Sequence, residues 1–285
     1  MAIDIGERPA AKAQRDAGSP GPWRWSQHWR DVLFLHWRAA SEELRGRLPA
    51  GLELDTYQGE AWVSFVGFRL QDVRLRGWPA LPFCAQMLEL NFRTYVRYHD
   101  EPAIYFLTMH ADHRWMIAAA RLLTPLPYEL ARLDYSANAE GEKTAGINPE
   151  KTAGINPAAR KSTSGGVYPR CHEYTRSGVH PRCFPSHLRF NCHPIGSRVP
   201  LLEASFQLGE ALEACAPDSL DAWLTERYVA YAGTRQGRLL RMQVEHEPWQ
   251  LRAVSLESCQ QARGWPSKCH FSTGVSALLW PFESM

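Results

Sequence analysis

The chain has 285 residues, 45% of them hydrophobic and 22% charged, with a formal net charge of +2; that is enough apolar material for a large core in one or two domains. Both signs of charge are mixed and the arginines are scattered rather than gathered in a stripe, which argues against a nucleic-acid partner. No run approaches 18 uninterrupted apolar residues, so no membrane-spanning helix is expected, and seven cysteines behind a terminus without an apolar export segment predict reduced thiols in a cytoplasmic protein.

Residues 1–22 are polar, end in Gly and Pro, and read as a flexible tail before a single domain over 23–285. DVLFLHWR (31–38) reads as a buried strand; His36 and Arg38 share one of its faces and Trp37 the other. Ser41 suits the N-cap of a short helix with Glu42 and Glu43 in its first turn, stopped by Pro49 and Gly51. LELDTYQGEAWVSFVGFRL reads as a hairpin turned at Gln58-Gly59, its second strand apolar on both faces. MLELNFRTYVRYHD (87–100) alternates with period two, which puts Glu89, Asn91, Arg93 and Tyr95 on one face. AIYFLTMHAD follows as a strand, and RWMIAAARLL (114–123) as a short buried helix ended by Pro125 and Pro127.

The middle of the chain differs in character. EKTAGINP occurs twice in tandem, at 142–149 and 150–157, a period too short for a solenoid unit. The surrounding 137–166 segment, poor in large apolar residues, reads as a low-complexity insertion into the domain. VYPRC (167–171) and VHPRC (179–183) echo each other, either as strand–turn–strand or as a second, degenerate duplication. Beyond about residue 186, Asp218 suits the N-cap of a helix over about 219–229 with Leu220, Trp223, Leu224 and Tyr228 on one face. A hairpin turned at Gln236-Gly237 follows, and Val275–Trp280 reads as a core strand. Many strands, three short helices and no alternation of strand with helix predict an α+β rather than a doubly wound fold.

Several segments carry a resemblance. LFLHWRAASEELRGRLPAGLELDTYQGEAWVSFVGFRL, ELNFRTYVR, SLDAWLTERYVAY and HFSTGVSALLWPF, in that order, resemble the YqjF-like family (domain of unknown function 2071), over roughly 28–133 and 187–285. That family looks like a remote branch of the acetoacetate decarboxylase superfamily. The relation implies a large curved antiparallel sheet closing into a cone or barrel around a small pocket. It also implies a Schiff-base lysine near PYELAR (127–132), and none of the chain's five lysines (Lys12, Lys143, Lys151, Lys161, Lys268) stands there. Lys268 reads as part of a polar turn before the last strand, and Arg132 is the cation near PYELAR.

The candidate site follows. Glu89, Asn91, Arg93 and Tyr95 form a polar wall if their face lines the cone, with Arg132 beside it and His36 and Arg38 on the first strand; Glu89 is the candidate acid or base. Arginine stays charged and clamps carboxylates in bidentate fashion, so the expected ligand is a small organic acid without Schiff-base decarboxylation. The alternative is a structural or regulatory module with its barrel filled by side chains. No cofactor is expected. HADH (110–113) alternates across a strand, and Cys171, His172, His180, Cys183, His187, Cys192 and His193 match no CxxC pairing, so no metal is expected either. Arg227 reads as solvated, Glu226 fits a solvated or an inward role, and His270 fits capping, packing or a site. Exposed sheet edges would favour a homo-oligomer.

Overall fold

The structure, a computed structural model, describes residues 21–78, 86–138, 187–234 and 236–285. The tandem EKTAGINP copies, the VYPRC–VHPRC echo and four of the seven Cys/His cluster residues lie outside the described residues. Among the described residues thirteen strands form one mixed sheet: β1 Trp25–Ala39, β2 Glu53–Leu54, β3 Ala61–Leu75, β4 Gln86–Tyr98, β5 Glu101–Ala111, β6 Tyr128–Asn138, β7 His187–Pro194, β8 Leu202–Ala211, β9 Val229–Gly233, β10 Leu239–His246, β11 Arg252–Gln260, β12 Lys268–Leu279 and β13 Glu283–Ser284. Three short helices accompany them: α1 Ser41–Arg45, α2 Arg114–Leu123 and α3 Leu220–Thr225. Among the described residues no helix is long and apolar enough to cross a membrane.

The pairings close two rings. Nine strands run β5-β6-β7-β8-β11-β12-β1-β3-β4 and return to β5 through its antiparallel pairing with β4. A seven-strand ring, β5-β9-β10-β12-β1-β3-β4, branches off because β5 and β12 change partners along their lengths. Ile104 and Tyr105 of β5 pair with β9, whereas Met109–Ala111 pair with β6. Ala277–Leu279 of β12 pair with β10, whereas His270 and Phe271 pair with β11. The expected curved, closing sheet is therefore present, with parallel pairs only at β5.

The rings share a wall, β12-β1-β3-β4-β5, whose side chains alternate between them. Leu33, Leu35, Phe65, Leu90 and Phe92 point to the nine-strand side and meet Phe190, Phe206 and Phe271, filling that ring with a hydrophobic core. Each such side chain contributes roughly 1.5–3 kcal/mol by its burial. Gly67 belongs to this packing: a Cβ there would lie 2.7 Å from the Phe190 ring. The opposite face carries Val32, Phe34, Val66 and Phe68 together with buried His36, Ser64, Glu89, Asn91, Arg93 and Tyr95. Across from it stand Ala230 of β9, Met242 and Val244 of β10, Trp223 and Leu224 of α3, and Trp249.

Several local expectations change. Gln58 and Gly59 do make a tight turn with positive φ at both residues, but it closes only the Tyr57–Glu60 bridge, and β2 pairs with β4 rather than β3. Ala40, not Ser41, is the N-cap of α1, without a side-chain hydrogen bond. Helix α3 is capped by Ser219, whose hydroxyl accepts from the Ala222 N–H, not by Asp218, and it ends at Thr225. Helix α2 sits where predicted but is not buried: Ile117 alone is, while Trp115, Leu122 and Leu123 are exposed. Arg227 is buried, not solvated, since it follows the end of α3 and turns inward.

Candidate functional site

The seven-strand side holds a cavity of about 320 Å³. Its lining is mostly aromatic and aliphatic, and β4 supplies three polar groups in register: Glu89, Asn91 and Arg93. Period-two alternation places them in a row, with Cα atoms roughly 7 Å apart. Tyr128, Arg227, His246 and Thr225 add polar groups from β6, β10 and the end of α3.

Arg93 is buried, and its surroundings do not neutralise it. Its Nη2 donates a long 3.4 Å bond to the Leu224 carbonyl, its Nε has no partner, and burial is the main influence on its protonation, lowering its pKa. The groups opposing that burial belong to Tyr95, not to a carboxylate. Arg227, by contrast, is held by Asp55 at 2.9 Å and lies over the Trp223 and Tyr95 rings. Asp55 also takes Arg97, at 2.9 Å. A buried guanidinium facing an apolar cavity carries a charge that is costly to leave unpaired.

Glu89 lies at the other end of the row. Burial lifts its carboxyl from the usual 4.5 to about 7, against hydrogen bonds from Tyr128 (2.9 Å) and Asn91 that favour the charged form. Near neutral pH it therefore exists in both protonation states, as a proton donor or acceptor requires. The Asn91 Oδ1 atom is buried without a partner. Asn91 and Arg93 both line the cavity and each has a buried polar atom without a partner, where native interiors usually satisfy such atoms.

Behind Arg93 runs a buried chain of hydrogen bonds. The Tyr95 hydroxyl donates to the Leu224 carbonyl at 2.8 Å and lies 2.6 Å from the Ser64 hydroxyl, which lies 2.6 Å from His36 Nδ1. His36 Nε2 is 3.3 Å from His270 Nδ1, and His270 Nε2 is 3.1 Å from Asp221, which also holds Lys268. Burial first, then neighbouring His270 and Arg93, push the His36 pKa well down, so His36 is neutral at ordinary pH. His270 and Lys268 hold the Asp221 carboxyl well below the usual carboxylate range. Tyr95 and His36 support the site from behind and do not line the cavity.

The other candidates are placed as follows. Arg38 is exposed, pairs with Glu60 at 2.9 Å and covers Trp62. Arg132 is exposed on β6 and does not line the cavity. Lys268 opens β12 instead of lying in a turn, paired in register with His36. The HADH residues separate: His110 approaches Glu129 at 3.4 Å, Asp112 accepts the Leu88 N–H, and His113 caps α2. His187 and His193 pair with Glu257 and Glu203. Among the described residues no cluster of three or more His, Cys, Asp or Glu side chains is arranged to hold a metal. Glu226 faces inward, accepting the Trp249 N–H and the Tyr228 hydroxyl. The sequence reading missed Arg227, Tyr128 and Ser64; for Ser64 the signal was present, since it shares a strand face with Val66 and Phe68.

Comparison with known proteins adds the family. The model of DUF2071, "Uncharacterized conserved protein (COG2071)", matches residues 26–276. An uncharacterised protein YqjF of Bacillus subtilis (strain 168) is 31% identical over 272 residues, 92% of this chain and 93% of that protein. Solved structures with similar folds include an acetoacetate decarboxylase-like enzyme from Sphingomonas wittichii RW1 (TM-score 0.56, 12% identity, 94% of this chain and 95% of that one). Another is the enduracididine biosynthesis enzyme MppR complexed with pyruvate (TM-score 0.54, 13% identity, 94% and 91%). At these identities the structural likeness establishes the fold, which is acetoacetate decarboxylase-like.

Proposed function

This chain belongs to the DUF2071 family, of which YqjF is a member, and from that premise we propose that it binds a small organic acid in the seven-strand cavity without Schiff-base decarboxylation. The observation that carries the reading is Arg93: buried, at the cavity wall, and without a carboxylate partner among the described residues. A ligand carboxylate would supply the missing charge through charge-assisted hydrogen bonds. Asn91 would hold the middle of the ligand. Glu89, about 7 in pKa, would donate a proton to or accept one from a group at the far end. A similar fold was solved with pyruvate, a small acid, which supports the class of ligand though not the identity.

Lys268, the one lysine among the described residues, does not line the cavity and is tied to Asp221. That favours binding or acid–base chemistry over imine formation, which needs an amine freed from its charge. The filled nine-strand ring is what a purely structural module would show; the seven-strand side instead holds a cavity of about 320 Å³.

Thermal unfolding with added carboxylates at pH 6 tests the reading. A ligand at a hundred times its Kd should stabilise the wild type by about 2.7 kcal/mol, with the gain lost in Arg93→Met. An equal gain in Arg93→Met would refute it.

A further inference from the structure

Resting on the reading of Arg93 as the carboxylate site, we infer that the ligand is an organic acid with a substantial hydrophobic body, an aryl-alkyl or medium-chain monocarboxylic acid, rather than a compact two- to four-carbon acid. The first ground is size. A cavity of about 150 Å³ already takes a benzene ring, and this one has about 320 Å³. Its space corresponds to roughly ten water-sized groups, at about 30 Å³ each in the liquid. An acid the size of pyruvate would leave most of it empty.

The second ground is the chemistry of the walls. Away from the Glu89–Asn91–Arg93 row, the cavity is bounded by side chains such as Phe34, Phe68, Met109, Phe106, Trp249 and Val244. These offer dispersion and apolar burial along the ligand and few hydrogen bonds, so a polyhydroxylated or multiply charged body would lose its hydration uncompensated. Tyr128, Thr225, Arg227 and His246 also line the cavity but are engaged with Glu89, the Asp221 carbonyl, Asp55 and the Glu247 carbonyl, so β4 alone offers polar groups in series, which suits a molecule with one polar edge and one apolar edge.

The third ground is the approach. Helix α2 lies over the cavity with Met116, Ala119, Ala120 and Leu123 among its lining residues, at helical spacing. Leu123 is 66% exposed, so the lining runs out to the surface there, and its helix neighbours Trp115 and Leu122 are exposed as well. An apolar rim on an apolar cavity admits the hydrophobic end of a ligand and gives a long one somewhere to lie. Ala119 and Ala120 are the small residues on that rim.

Calorimetric titration of the full chain at pH 6 with acetate, butyrate, hexanoate, octanoate and 3-phenylpropionate, with 1-octanol as the uncharged control, tests this. The expected result is tightening by up to about fourfold per added methylene, the factor given by roughly 0.8 kcal/mol per buried CH₂, and octanoate binding at least about a hundredfold tighter than acetate. Ala119→Phe, at a partly solvent-facing rim position, should weaken octanoate at least about tenfold and leave butyrate within about twofold. Short acids binding as tightly as octanoate would overturn the inference and leave the carboxylate site standing. No binding of any acid, or octanol binding as tightly as octanoate, would overturn both.

Discussion

Burial lifts the Glu89 carboxyl to about 7, so the residue leaves a mark on stability that can be separated from binding. Its folded pKa lies above the usual 4.5, so the folded state holds the proton more tightly than the unfolded chain. Stability is therefore unaffected below about 4.5, falls as pH rises from there through 7, and stays reduced above it. The full difference is about 3 kcal/mol, at 1.36 kcal/mol per pKa unit. Urea unfolding of Glu89→Gln, which cannot ionise, should show that loss removed: relative to wild type the variant gains stability between pH 5 and pH 8.5. A parallel pH profile for the two proteins would show that Glu89 is not buried as described. Asp55 gives a second test. It is a carboxylate partner of buried Arg227 at 2.9 Å, so Asp55→Ala breaks a buried ion pair and should cost roughly 3–5 kcal/mol in chemical denaturation. Much of this scale was legible in the sequence, because strand alternation alone puts Glu89, Asn91 and Arg93 together. Arg132 and Arg38 could not be placed that way: alternation says which residues share a face, but neither which face is inside nor how far along a strand the interior extends, and Arg38, on the face of buried His36 but next to the end of β1, stands exposed like Arg132. Arg227 was hidden for a different reason, since its inward turn depends on α3 ending at Thr225.

At the level of elements, the strands announced themselves through alternation and turns, and their partners did not. Gln58-Gly59 marked a true turn, yet the segment before it pairs with β4, because a turn fixes local geometry and not the strand that completes the sheet. The apolar run of α2 predicted burial, but the helix has a rim to cover rather than a core to enter. Gly67 shows how finely the wall is fitted to the nine-strand ring. Gly67→Ala should cost roughly 1–3 kcal/mol by overpacking against Phe190. Adding Phe190→Leu should make the two costs non-additive, because the smaller side chain vacates the position of the clash; strict additivity in a double-mutant cycle would show that the two residues do not touch. Gly274 has the harder constraint, with φ +127 and the Trp29 carbonyl 1.9 Å from any Cβ.

At the scale of the whole molecule, one shared wall serves two interiors. The odd-numbered residues of β1 and β3 pack solid against the nine-strand core, and the opposite face of the wall carries the β4 row Glu89, Asn91 and Arg93. The sequence showed strands apolar on both faces and so predicted a covered sheet; it had no means of showing that one cover would be tight and the other hollow, which follows from β5 and β12 changing partners partway along. In the proposed function, Arg93 holds the carboxylate of an acid lying in the hollow side. A crystal structure of the protein grown with octanoate tests it most directly. The carboxylate is expected within hydrogen-bond distance of the Arg93 guanidinium, with the chain running along the apolar wall beneath α2. Octanoate bound elsewhere, or lying in the cavity with its carboxylate turned away from Arg93, would contradict it.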